Sequence, residues 1–274
     1  MTDAADWDDA YANMPHIEGG ESYPPRWQSE AVAFREQSGD QHRAQLDLAY
    51  GEGERQRLDL FHPEGHAQGL VVFVHGGFWR AFDKSYWSHL AAGALAKGWA
   101  VALPSYTLCP QATIPQIGRE IATAIRFAAE RVEGPVYLIG HSAGGHLVTR
   151  LLCEEGSLLG DLAPRIGRVI SISGLHDLRP LLKTKLNDDL RLDMATARAE
   201  SPALLTPLPG LDLVCWVGAN ERPEFLRQNA LLATIWSGFD LSIKSIEEPG
   251  RHHFDVIDGL TRADGALTTL LLER

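Results

Sequence analysis

Four short stretches of the chain, residues 70–74, 100–103, 136–139 and 169–173, are almost uninterrupted apolar runs. A strand of that kind has no polar face to turn to water. It must lie in a sheet covered on both sides, which is the setting of parallel α/β sheets. Residues 211–217 and 241–246 extend the set. Residues 44–50 and 56–61 alternate apolar and polar positions instead, and the segment Gly51-Glu52-Gly53-Glu54 separates them. That pattern predicts a half-exposed antiparallel hairpin. Helical patterns fill the gaps. In residues 115–132, Ile117, Ile121, Ala124, Ile125, Ala128 and Val132 recur at helical spacing behind a proline suited to a first turn. Residues 85–97, 146–155, 223–236 and 254–272 are the other predicted helices. Together these predict one α/β domain with a mostly parallel eight-stranded sheet, antiparallel first strands and flanking helices.

The 274 residues suffice for one such domain. Residues 41–274 are expected to form it. Residues 1–40, rich in charge, Gly and Pro and without a long periodic element, are expected to pack on it as an extension. Residues 175–209 exceed what a crossover needs and are expected as a cap-like insertion over the strand C-terminal ends. With 36 acidic residues against 25 Lys+Arg, the net charge of −11 argues against a nucleic-acid partner. No apolar run approaches the roughly 20 residues that span a bilayer, and the acidic start is unlike a secretion signal, so no membrane role is expected. Three separated cysteines, Cys109, Cys153 and Cys215, fit a reducing cytoplasm better than a disulfide or zinc scaffold. The oligomeric state is not legible in the sequence.

The chemistry is concentrated at Gly140-His141-Ser142-Ala143-Gly144. This G-x-S-x-G segment sits between a predicted strand and a predicted helix, which is the strand–turn–helix that exposes a serine nucleophile. Its glycines allow close backbone approach, and the helix N-terminus favours an oxyanion. His75-Gly76-Gly77-Phe78-Trp79 follows the strand at 70–74, where an oxyanion-hole loop is expected. The N–H groups of Gly76, Gly77, Phe78 and Ala143 are the candidate donors. A base arriving last in the order Ser…acid…His points to His253, with His252 as its rival. The acid is expected after the strand at 211–217, at Glu221, with Glu224 and Asp177 as alternatives. Phe78, Trp79, Tyr106 and His176 are candidates for an aromatic substrate wall. The histidines show no metal-ligand spacing, so neither a metal nor a cofactor is expected.

With those residues in place, the chain resembles the α/β-hydrolase superfamily. More narrowly, it is similar to the bacterial kynurenine formamidase (arylformamidase)-like branch, near the hormone-sensitive-lipase-like esterases. The resemblance rests on WDDAYANM, RLDLFHP, HGGFWR, the Tyr106-x-Leu108-x-Pro110 stretch, GHSAGGHL, SGLHDLRPL, SPALL, GANERPEFLRQ and HHFDVI, and runs from about residue 7 to 257. It implies a nucleophile at Ser142, an acid at Glu221 and a base at His253. The family commonly carries Asp where this chain has Glu221. The implied reaction is hydrolysis of a small-molecule ester or aryl formamide, with N-formylkynurenine favoured. The alternatives are a small-acyl carboxylesterase, a catalytically silent binding module and a metal-dependent hydrolase.

Overall fold

The computed structural model describes residues 6–40 and 42–272. Residues 1–5 of the expected extension, and residues 41, 273 and 274 of the expected catalytic domain, lie outside the described residues. Eight strands form one sheet: β1 (Ala44–Ala49), β2 (Arg57–Phe61), β3 (Leu70–Val74), β4 (Ala100–Pro104), β5 (Val136–His141), β6 (Ile166–Ile172), β7 (Asp212–Gly218) and β8 (Ser242–Glu248). Their spatial order is β1-β2-β4-β3-β5-β6-β7-β8. β1 pairs antiparallel with β2, and β2 with β4; every other pairing is parallel. This is the predicted sheet, and the chain forms a single α/β domain around it. β3 and β4 are buried along their whole length, as apolar runs require.

The helices are α1 (Trp7–Tyr11), α2 (Tyr23–Asp40), α3 (Ala92–Ala96), α4 (Ile114–Ala129), α5 (Ala143–Arg150), α6 (Asn187–Leu190), α7 (Met194–Ala199), α8 (Pro223–Trp236) and α9 (Ala266–Leu272). α4 begins where its sequence signals place it. Gln116 Oε1 accepts from the Thr113 N–H at 2.7 Å, Pro115 occupies the first turn, and Ile117, Ile121 and Ile125 are buried. α8 matches its predicted span.

Three expectations are corrected. The first forty residues contain a long element after all, the 18-residue α2. Its Pro24 and Pro25 open the first turn, where a missing N–H costs nothing. Its buried stripe is thin, Trp27, Ala31 and Ser38, set among charged positions. The 85–97 helix is broken into 3-10 turns, Lys84–Tyr86 and Ser88–Ala91, before the short α3. The 254–272 helix is absent over its first half: turns and Asp258–Leu260 precede α9, and Gly259 and Gly265 fall in the interruption. Residues 175–209 hold only short helical pieces, α6 and α7 among them. α1 packs on α8, and α2 packs on the turns at 84–91. Among the described residues no helix is long and apolar enough to cross a membrane.

Candidate active site

The turn from β5 into α5 carries Ser142 at φ 56° and ψ −117°, a conformation L-residues rarely adopt. Surrounding contacts hold it there. The Ser142 N–H donates to the Ile172 carbonyl at 2.7 Å, and its own carbonyl accepts from the His146 N–H at 3.1 Å. Only glycine fits at position 144, because a Cβ there would fall 1.9 Å from the Val74 carbonyl oxygen. The turn after β5 is thus pressed against the C-terminal end of β3 on one side and tied to that of β6 on the other, and it presents Ser142 there.

The second loop follows β3. Gly77 has φ 105°, Phe78 50° and Trp79 56°, so three successive residues lie at positive φ. The N–H groups of Gly77, Phe78 and Ala143 have no protein acceptor among the described residues. Such a turn is costly unless fixed from behind. Tyr106 does this: its ring stacks on His75 at 4.3 Å and its hydroxyl donates to the His75 carbonyl at 3.0 Å. Trp79 is held similarly, its carbonyl accepting from Cys109 N–H at 2.8 Å and its ring meeting His146 edge-on.

His253 and Glu221 meet on the other side. The His253 Nδ1 lies 2.6 Å from Glu221 Oε2, and both side chains are buried. Glu221 Oε1 accepts from the Gly218 N–H at 2.9 Å and the Ser173 hydroxyl at 2.5 Å. A carboxylate removed from water needs its hydrogen-bonding capacity filled, and these contacts fill it. Ser173 itself sits at φ 50°, tied by its N–H to the Trp216 carbonyl. The rivals are engaged elsewhere. His252 faces the Tyr23 hydroxyl at 3.0 Å, Glu224 accepts from Tyr11 and pairs with Arg227, and Asp177 is held by Arg179.

Ser142, His253, Gly76, Gly77 and Phe78 line one cavity of about 390 Å3. No hydrogen bond joins the Ser142 and His253 side chains among the described residues; catalytic contacts of this kind often tighten only when substrate binds. His141 also lines the cavity, its Nε2 2.9 Å from the His253 carbonyl. Burial, then the neighbouring His253, holds His141 well below the ordinary histidine range. Burial likewise pushes His75 down to about 4, and His146 and His176 to about 3.

Of the four aromatic residues expected to face substrate, Phe78 lines the cavity. Trp79, Tyr106 and His176 are fully buried; Trp79 and Tyr106 brace the oxyanion loop, and the His176 ring lies between the Thr149 and Ser171 hydroxyls. The rest of the aromatic lining comes from residues the sequence does not assign to a substrate wall: Tyr11, Phe82, Trp87 and Phe254. Trp27 of α2 gathers three of them, with ring centroids 6.1 Å from Phe82, 4.8 Å from Trp87 and 5.3 Å from Phe254. The helical spacing of Trp27 and Ala31 was the available signal. No group of three or more His, Cys, Asp or Glu able to hold a metal occurs among the described residues.

Residues 71–264 match the alpha/beta hydrolase family. The kynurenine formamidase of Salmo salar is 32% identical over 240 residues, covering 83% of this chain and 81% of its own. That of Danio rerio is 30% identical, covering 83% and 80%. A crystal structure from Silicibacter sp. TM1040, described as a candidate thioesterase, is 47% identical with a TM-score of 0.92, covering 98% of this chain and 99% of that one.

Proposed function

The chain belongs to the alpha/beta hydrolase family and is a hydrolase related to kynurenine formamidases; we propose that it cleaves an aryl formamide, N-formylkynurenine best, with Ser142 as nucleophile. The observation that carries this reading is the buried Glu221–His253 pair opening on the cavity that Ser142 lines, beneath aromatic walls suited to a flat substrate. The formamidase relatives add the substrate class.

In this reading His253 Nε2 takes the Ser142 hydroxyl proton as Oγ attacks the formyl carbon. The N–H groups of Gly77, Phe78 and Ala143, with Gly76 shaping the turn, hold the oxyanion. His253 returns the proton to the departing arylamine nitrogen. Water then attacks the formyl ester, again through His253, and releases formate. Glu221 orients the imidazole through Nδ1 and stabilises the imidazolium. The extension and residues 175–209 act as pocket walls, a role supported by Asp8, Tyr11, Lys185 and Leu186 in the lining. The substrate is a small molecule, with neither nucleic acid nor membrane as partner. A cytoplasmic setting belongs to the same reading, supported by three buried free cysteines.

A second reading, cleavage of short-acyl esters or thioesters, is favoured by the likeness to the candidate thioesterase. Steady-state kcat/KM for N-formylkynurenine, p-nitrophenyl butyrate and a short acyl thioester decides between them. The formamide is expected to be the best substrate by about ten-fold or more. Ester or thioester turnover without formamide cleavage would replace the first reading by the second.

A further inference from the structure

Around Ser142 the cavity wall is largely apolar. Apart from histidines, its charged lining consists of Asp8, Arg80 and Lys185. Three contacts bring them to the same lip. Arg80 follows the positive-φ turn of the oxyanion loop, its N–H donating to the Gly77 carbonyl at 3.0 Å. The Lys185 N–H donates to Asp8 Oδ1 at 2.7 Å, which joins α1 to the insertion beside the cavity. The Arg80 guanidinium lies 3.2 Å from Asp189, one helical turn beyond Lys185.

The charges on this lip are unequally satisfied. Asp189 neutralises much of Arg80. The Lys185 ammonium has no carboxylate within 4.0 Å among the described residues. Asp8 spends one oxygen on a backbone N–H and keeps the other. An apolar pocket ending in one available cation and one available anion complements an apolar molecule that ends in both charges.

We propose that this lip is a subsite for a zwitterionic α-amino-acid head group, with the carboxylate on Lys185 beside Arg80 and the ammonium on Asp8. The proposal rests on the aryl formamidase reading and sharpens it: the preferred substrates are aryl formamides whose leaving amine carries an amino-acid tail. The aryl ring lies among Phe78, Phe82, Trp87 and Phe254, with the formyl group at Ser142 and the tail at the lip. Recognition at the lip is expected in KM, the signature of a contact made equally in the ground state and the transition state.

The test uses the full chain. N-formylkynurenine is compared with ortho-formamidoacetophenone, which keeps the aryl formamide and lacks the head group. In K185M the preference for the zwitterion is expected to fall about ten-fold, through KM, with K185R restoring most of it. D8N keeps an acceptor for the Lys185 N–H and is expected to lower the same preference several-fold. A preference unchanged in K185M overturns the proposal. A second readout does not depend on formamide turnover: inhibition of p-nitrophenyl acetate hydrolysis by kynurenine and by kynuramine, which lacks the carboxylate. Kynurenine is expected to inhibit more tightly by about ten-fold, an advantage lost in K185M; equal inhibition overturns the subsite. Should esters turn over but no formamide, the formamidase reading fails while this comparison still decides the lip. A Lys185-dependent preference for acetyl-CoA over S-acetyl-N-acetylcysteamine would assign the cation to a phosphate and overturn the amino-acid proposal.

Discussion

Ser142 and Glu221 are held by backbone. One sits on a turn wedged between β3 and β6, the other on a loop whose carboxylate collects a Gly218 N–H and a Ser173 hydroxyl. The aromatic wall facing them is assembled differently. Phe82, Trp87 and Phe254 come from three separate turns, and Trp27 of α2 holds them by ring packing alone. The first region has directional constraints and a fixed geometry; the second has area and shape. Reaction chemistry tolerates little displacement, whereas a substrate wall can be rebuilt from any side chains of suitable bulk. The two regions therefore differ in what a substitution should damage.

The comparison is sharpest where activity is lost without loss of packing. Ser142→Ala is expected to lower kcat/KM for the best substrate by about 10^4-fold, read by steady-state kinetics on protein whose Tm is measured in parallel. Glu221→Gln leaves the shape and removes the charge that orients His253; a loss in kcat of about 10^3-fold is expected. A loss below ten-fold in either would mean that the backbone-held region is not the reaction centre.

Trp27→Ala attacks the other region. A fully buried tryptophan contacting three cavity residues should cost about 3–5 kcal/mol, a Tm fall of about 10 °C. It should also raise KM for an aryl formamide more than it lowers kcat. An equal loss in kcat with KM unchanged would break the division drawn between the regions.

The smallest effect on the reaction itself is expected from pH acting on stability. His75, His146 and His176 are pushed down to between about 3 and 4 by burial, while in the unfolded chain each titrates near about 6.5. Between those values the unfolded state binds more protons. Stability is then fully present above about pH 6.5 and drains away as pH falls towards 4. A Tm about 10 °C lower at pH 5 than at pH 7.5 is expected by calorimetry. Because these histidines are packed in the interior and do not react, Ser142→Ala should show the same fall.

The two regions also differed in how far they could be read from sequence. β5, the Ser142 turn and α5 are contiguous, so one short segment carries strand, glycine and helix signals together. His253 and Glu221 follow from strand order in the sequence, and the structure brings that ring nitrogen to 2.6 Å from the carboxylate, whereas His252 and Glu224 have other partners. Ser173, by contrast, supports Glu221 across a gap of 48 residues. Nothing local marks it except a polar residue ending an apolar strand. Trp79, Tyr106 and His176 look like substrate contacts in the sequence because they are aromatic and near the motifs. Burial makes Trp79 and Tyr106 braces for strained backbone and His176 an interior residue. α2 was missed for a related reason: its prolines look like loop residues until they are placed in a first turn, and its apolar stripe is too thin to stand out from the charges around it.

The Tyr23–His252 hydrogen bond joins residues 229 positions apart and lies one residue from the histidine paired with Glu221. A contact of that span closes nearly the whole chain into a loop, so it is among the last to form. During synthesis, α2 leaves the ribosome long before its partner exists. The segment that steadies the His253 loop thus waits on residues translated near the end, and the wall with its base assembles only once both have emerged. Partly made chains and proteolytic fragments lacking either segment are accordingly expected to be silent, which ties hydrolytic activity to completion of the fold.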